Sequence, residues 1–265
     1  MWLTIWSYMQ VSGPRAFPGF ALSKIFAKNN YDIVAVARDS KKLEELKSKL
    51  SVDGCSVHTI EADLSKFDDI EKIKQVVESE KWDIETLVLN AGQGIGGDFV
   101  TQTKLDKELQ LISLNANSMV HMSKIFLPKL IARGHGKIMM VSSVSGTTPI
   151  PYEAVYGATK AFVNSFFWAI RNEVKGYNID MTLLLPGATE TNFFVNAGLA
   201  ETVIGSGKKD NVDEVAQRAW FALQSGHEYV YGSDLAEYEG DVLNRNQSES
   251  HKAQRHRYLS APKRC

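Results

Sequence analysis

A chain of 265 residues that is 44% hydrophobic and 23% charged has room for one large α/β domain or two small ones. A net charge of -1 gives no electrostatic basis for binding nucleic acid or an anionic membrane surface. The two cysteines, Cys55 and Cys265, are far apart and form neither a disulfide framework nor a metal or redox motif, which points to a reducing compartment.

Met1 to Val11 is apolar and uncharged, too short to span a membrane and without the basic start of a secretory signal. A buried first strand and a cytoplasmic location are expected, with interfacial contact by Trp2 and Trp6 as the rival. Ile33 to Ala37 reads as a buried strand, and Leu43, Leu46 and Leu50 then recur at helical spacing. Val57 to Ile60 is a short strand, Phe67 to Val77 a charged helix, and Thr86 to Leu89 a strand running into Asn90-Ala91-Gly92. Two helical segments cover about Lys104 to Ala132. Lys137 to Val141 is a strand, Glu153 to Val174 a helix, and Met181 to Leu185 a strand stopped by Pro186-Gly187. Val212 to Gln224 is a helix and Tyr229 to Tyr231 a last short strand. Strands that are apolar throughout, alternating with helices, imply a parallel sheet covered on both faces: a doubly wound, Rossmann-type α/β domain. Residues 1–240 are expected to form this single domain. Residues 241–265, rich in Arg, His, Ser and Gln, read as a polar tail, mobile or loosely packed.

Tyr156 and Lys160 stand four residues apart, so on a helix the phenol and the ammonium project from one face. A fixed cation beside a phenol favours phenolate and lowers a pKa that starts near ~10, giving an acid/base usable near neutral pH. The pair alone fits an exposed surface helix equally well. Ser143, however, ends the preceding strand, and the motifs Asn90-Ala91-Gly92 and Pro186-Gly187 end two others. Asn115 falls in the helical stretch between. His58, His121 and His135 have no ligand-like spacing, so no metal site is expected. Phe162, Phe166, Phe167 and Trp168 read as core or subunit interface.

In this order and spacing the chain resembles the short-chain dehydrogenase/reductase family, from about Gly13 to Tyr231. The resemblance implies that Tyr156 is the catalytic acid/base and that Lys160 lowers its pKa and holds the nicotinamide ribose. It implies that Ser143 binds the substrate carbonyl and that Asn115 helps anchor a water relay to Lys160. Asn90, Ala91 and Gly92 would steady the sheet beside the cofactor, and Asp63 would contact the adenine. Pro186 and Gly187 would help bind the cofactor, with Thr191, or its competitor Thr189, binding the carboxamide. Hydride addition to a carbonyl builds negative charge on oxygen, which hydroxyls from Ser143 and Tyr156 would stabilise. The residues taken singly also fit a strand-ending turn at Ser143, a buried amide at Asn115 and a helix cap at Asp63.

The family's glycine-rich turn, T-G-x-x-x-G-x-G, aligns with Ser12 to Gly19. Gly13 and Gly19 remain, but Phe17 replaces the middle glycine and Pro18 removes a donor. Arg15 is placed to reach a phosphate or to face solvent. Three readings stand: a remodelled turn that works, lost cofactor binding, or an error in the first eighteen or so residues. Arg38 after the second strand, with Asp39 one place late for a ribose carboxylate, points to NADP(H) over NAD(H). The expected activity is NADP(H)-dependent oxidation and reduction of a carbonyl/alcohol pair. The rivals are a non-catalytic binding protein on the same fold and a sugar-nucleotide epimerase, for whose substrate domain the chain has little room. Residues 192–209, with Phe193, Phe194, Val195, Leu199, Val203 and Ile204, are expected as a lid over an apolar or moderately bulky small molecule. The resemblance also implies a homodimer or homotetramer through the helices from Leu111 and Glu153.

Overall fold

The computed structural model describes residues 2–6, 18–50 and 55–261. Among the described residues, seven strands form one sheet: β1 (Trp2–Trp6), β2 (Asp32–Ala37), β3 (Val57–Glu61), β4 (Ile84–Leu89), β5 (Gly136–Val141), β6 (Ile179–Leu185) and β7 (Tyr229–Tyr231). Their order is β3-β2-β1-β4-β5-β6-β7, and every neighbouring pair is parallel. The chain winds outward from β1 to β3 and then returns to place β4 on the other side of β1. That reversal opens a crevice at the carboxyl ends of the strands.

Helices cover both faces: α1 (Pro18–Lys28), α2 (Ser40–Leu50), α3 (Phe67–Ser79), α4 (Leu105–Ile112), α5 (Ser118–Arg133), α6 (Ala154–Glu173), α7 (Phe193–Asn196), α8 (Val203–Ser206), α9 (Val212–Gln224), α10 (Asp234–Glu237) and α11 (Glu249–Ser260). Apolar spacing decides which face each helix buries. Leu43, Leu46 and Leu50 of α2 join Phe26 of α1 and Leu223 of α9 in one half of the core. Ile73 of α3, Phe126 of α5 and Phe167 of α6 fill the other half. Each of these three phenylalanines is fully buried, a contribution of about 1.5–3 kcal/mol apiece by area. Phe162 and Trp168, by contrast, face outward on α6. No described helix is long and apolar enough to cross a membrane.

Two features depart from the sequence reading, and a third expectation falls outside the described residues. The two helices expected between Lys104 and Ala132 run on through a π-helical turn, Ser113–Asn117. The first strand ends at Trp6 and α1 begins at Pro18; residues 7–17, including Gln10, Gly13, Arg15 and Phe17, lie outside the described residues. The tail expected to be loosely packed instead carries α11, capped by the Ser248 side chain and burying Lys252, His256 and Ser260. Helical spacing of four residues puts these three polar side chains on one face, and each finds a packed or bonded environment that composition alone hides. The 192–209 segment forms α7 and α8 over a small core of Phe194, Ala197 and Leu199. It is pinned to the 94–97 loop by the Gly96 amide, which donates to the Ala197 carbonyl at 2.7 Å.

Candidate active site

Strand ends and one helix build the site. β5 stops at Val141, and Ser142 and Ser143 follow, Ser143 in extended backbone. The Ser143 hydroxyl donates to the Pro186 carbonyl at 3.3 Å and accepts from the Ser145 amide at 3.1 Å, which fixes its position. Tyr152 takes a left-handed φ of 66° and turns the chain into α6. From that start Tyr156 and Lys160 lie on the inner face of α6, both buried, at 8% and 4% exposure. The Ser142 hydroxyl donates to the Lys160 carbonyl at 3.1 Å, tying helix to strand end.

These side chains meet in a cavity of about 310 Å³. Of the residues expected at the site, Asn90, Gly92, Ser143, Tyr156, Lys160, Pro186, Gly187, Thr189 and Thr191 all line it. Ala91 is buried beside it in the sheet core. Asn115 sits in the π-helical turn and brackets Gln93, donating to its carbonyl at 2.9 Å and accepting from its amide at 3.0 Å. It also donates to the Thr159 hydroxyl at 3.1 Å. A side chain at Gly92 would come within 3.3 Å of Lys160 Nζ and 3.6 Å of Asn115 Oδ1, so glycine lets the β4 end, Asn115 and Lys160 converge. Thr189 and Thr191 remain equal candidates, since both hydroxyls are buried at the cavity wall.

Arg38 and Asp63 lie apart from this cavity, at the ends of β2 and β3. There they share a separate cleft and face each other at 3.7 Å. Asp63 also accepts from the Ser65 amide and hydroxyl. Asp39 is engaged elsewhere: it accepts from the Lys42 amide at 3.2 Å and pairs with its ammonium at 3.3 Å. Gly19 lies in the first turn of α1, its carbonyl accepting from the Ser23 hydroxyl at 2.8 Å. Gly13 and Arg15 lie outside the described residues.

The electrostatics differ from the sequence expectation. Lys160 Nζ is 5.9 Å from the centre of the Tyr156 ring and donates to the Val141 carbonyl at 3.0 Å. Burial lowers its pKa to about 8. The Tyr156 phenol is pushed up, not down: burial dominates, the Glu153 carboxyl adds to it, and only a hydrogen bond with Ser143 opposes it. The sequence reading missed Glu153, His256 and Leu259, which also line the cavity. Glu153 stands three residues before Tyr156, which puts both on one helix face, a signal legible in the spacing. His256 and Leu259 arrive from α11 and left no such mark. Among the described residues, no group of His, Cys, Asp and Glu side chains is arranged to hold a metal ion.

The family described as short chain dehydrogenase matches residues 16–202. The NADP-dependent 3-hydroxy acid dehydrogenase YdfG of Escherichia coli O157:H7 is 27% identical over 217 residues, 80% of this chain and 86% of that protein. The dehydrogenase/reductase SDR family protein 7-like of Anopheles gambiae is 32% identical over 206 residues, 76% of this chain and 64% of that protein. Among solved structures, a short-chain dehydrogenase from Sphingobium yanoikuyae in complex with NADPH superposes with a TM-score of 0.80 at 26% identity, covering 92% of each chain.

Proposed function

The chain belongs to the short-chain dehydrogenase family, and from that premise we propose that it transfers a hydride between NADP(H) and a small carbonyl or alcohol substrate, with Tyr156 as the acid/base. The observation that carries this reading is the meeting of Ser143, Tyr156 and Lys160 in one cavity with the ends of β4 and β6. The cofactor is supported by the NADP and NADPH named for the relatives.

The residues present fit that cofactor. Gly92 leaves the β4 end open beside Lys160, as a ribose requires, and Thr189 and Thr191 offer hydroxyls at the nicotinamide end. Arg38 stands where a doubly wound fold holds the adenosine ribose, and Asp39, the nearby carboxylate, is committed to α2. Bound NADPH supplies the hydride. Ser143 and Tyr156 hydroxyls hold the carbonyl oxygen as its charge grows. As the carbonyl is reduced to the alcohol, the Tyr156 phenol would give its proton to the oxygen and complete the O–H bond. Lys160, charged below about pH 8, stands 5.9 Å from the Tyr156 ring, on the ribose side of the proposed site. Asn115 keeps the 93 turn and Thr159 in place behind it. Asp63 lies near the expected adenine position. The exposed apolar residues Leu105 and Leu109 on α4 and Phe162 on α6 support a homodimer or homotetramer, and cysteine usage supports the cytoplasm.

Titration of the full chain with NADPH and a panel of ketones tests the reading. NADPH at roughly 100 times its dissociation constant should stabilise the fold by about 2.7 kcal/mol and be consumed when ketone is added. Absence of both effects rejects it. Arg38→Ala should then lower NADPH preference over NADH by roughly ten- to hundredfold, the equivalent of ~1.5–3 kcal/mol for a charged hydrogen bond to the 2′-phosphate. The measurement is the ratio of dissociation constants, and an unchanged ratio moves the phosphate contact elsewhere.

A further inference from the structure

Glu153 is a carboxyl buried to 4% exposure in the wall of the cavity. It stands at the N-terminal boundary of α6, one turn before Tyr156. Among the described residues its one polar side-chain partner is the Ser260 hydroxyl of α11, which donates at a long 3.4 Å. No described ion pair includes it. Burial holds its pKa up to about 7, and no nearby cation offsets that. The other titratable groups along the cavity do not supply one. Lys160 is turned to the Val141 carbonyl, Lys208 is exposed, and Asp210 and Glu239 are acidic. His256 is kept neutral by burial, with a pKa of about 4. Phe193, Phe194 and Leu259 add apolar surface to the same cavity, with the Phe193 ring 5.1 Å from that of Tyr156.

A buried carboxylate without a counter-ion is costly and becomes favourable when a cation enters beside it. The same negative charge works against ionisation of Tyr156. A substrate cation would cancel both effects at once. We propose that Glu153 is a specificity-determining residue, selecting carbonyl and alcohol substrates that carry a protonated amine on the carbon next to the reacting one. Phe193, Phe194 and Leu259 take an apolar group on the other side of that carbon. The inference rests on the reading of this cavity as the hydride-transfer site. Its ammonium would donate to the Glu153 carboxylate while the carbonyl oxygen sits between Ser143 and Tyr156.

An isosteric pair of aryl ketones tests this: phenacylamine, protonated, and propiophenone, in which a methyl group replaces the ammonium. Dissociation constants for both are measured on the full chain by calorimetry, and kcat/KM with NADPH in parallel. Wild-type protein should prefer phenacylamine by roughly ten- to hundredfold, as a charge-assisted hydrogen bond implies. Glu153→Gln should remove that preference while leaving propiophenone binding within about twofold. Ser260→Ala, which keeps the carboxyl but takes its hydrogen bond, should retain the preference and covers the case in which Glu153→Gln fails to fold. Equal or tighter binding of propiophenone by wild-type protein, or equal losses for both ketones in Glu153→Gln, overturns the proposal. A binding preference that persists without NADPH oxidation would support the Glu153 site and reject the hydride-transfer reading, so the two failures are distinguishable.

Discussion

Tyr156→Phe should lower kcat for ketone reduction at least about a thousandfold while leaving the thermal midpoint nearly unchanged. The substitution removes both the proton donor and one of two hydroxyls facing the carbonyl oxygen, effects of about 10²–10⁴-fold and 10²–10³-fold when measured singly elsewhere. The fold should tolerate it because the ring stays and its neighbours remain bonded. Ser143 keeps the Pro186 carbonyl and the Ser145 amide as partners. Packing against Phe193 is likewise retained. NADPH affinity should hold, since the proposed ribose side of the site is assigned to Lys160, Asn90 and Gly92, which the substitution leaves in place. Turnover within about tenfold of wild type on a confirmed substrate would remove Tyr156 from the mechanism. A large fall in melting temperature would instead recast it as a structural residue.

The second large effect lies in the pH dependence of stability. Glu153 has its pKa raised from 4.5 to about 7, so its native form holds a proton that the unfolded chain has lost. Stability from this group is therefore full below pH 4.5 and is lost as pH rises towards 7. His256 has its pKa lowered from 6.5 to about 4. Its contribution is full above pH 6.5 and is lost as pH falls towards 4. The two slopes run oppositely across nearly the same window, and in the wild-type protein they largely offset. Single substitutions should uncover them. Relative to wild type, Glu153→Gln should gain about 2 kcal/mol between roughly pH 5 and pH 7.5, and His256→Gln should lose a similar amount. Denaturant titrations at several pH values read both slopes. Parallel curves for wild type and both variants would show that neither group is desolvated as its burial implies.

Much of this arrangement was legible in the sequence because it follows from periodicity. Leu43, Leu46 and Leu50 mark the buried stripe of α2, and the apolar runs of β2 and β4 to β6 mark strands covered on both faces. Asn90, Ser143, Tyr156 and Pro186 were findable because chemistry in a doubly wound fold collects where strands end. α11 was hidden for the opposite reason. Its buried residues are Lys252, His256 and Ser260, so it carries no apolar stripe to betray the packed face. The direction of the Tyr156 shift was also out of reach. It depends on burial and on Glu153, and burial is a property of the folded cavity. The spacing of Tyr156 and Lys160 shows that they share a face, but not that the ammonium is held by the Val141 carbonyl.

Part of the cavity wall comes from a later stretch of chain than the proposed reaction centre. Ser143, Tyr156 and Lys160 lie within residues 16–202, the span that matches the family, whereas Leu235, His256 and Leu259 lie beyond it. A side-chain change on the outer wall leaves the backbone that aims the phenol untouched. Such an architecture lets substrate range drift by small steps in late segments of the gene while proton transfer is preserved. It also makes those segments the place to graft: exchanging α11 with that of a relative changes the shape of the chamber without rebuilding its floor.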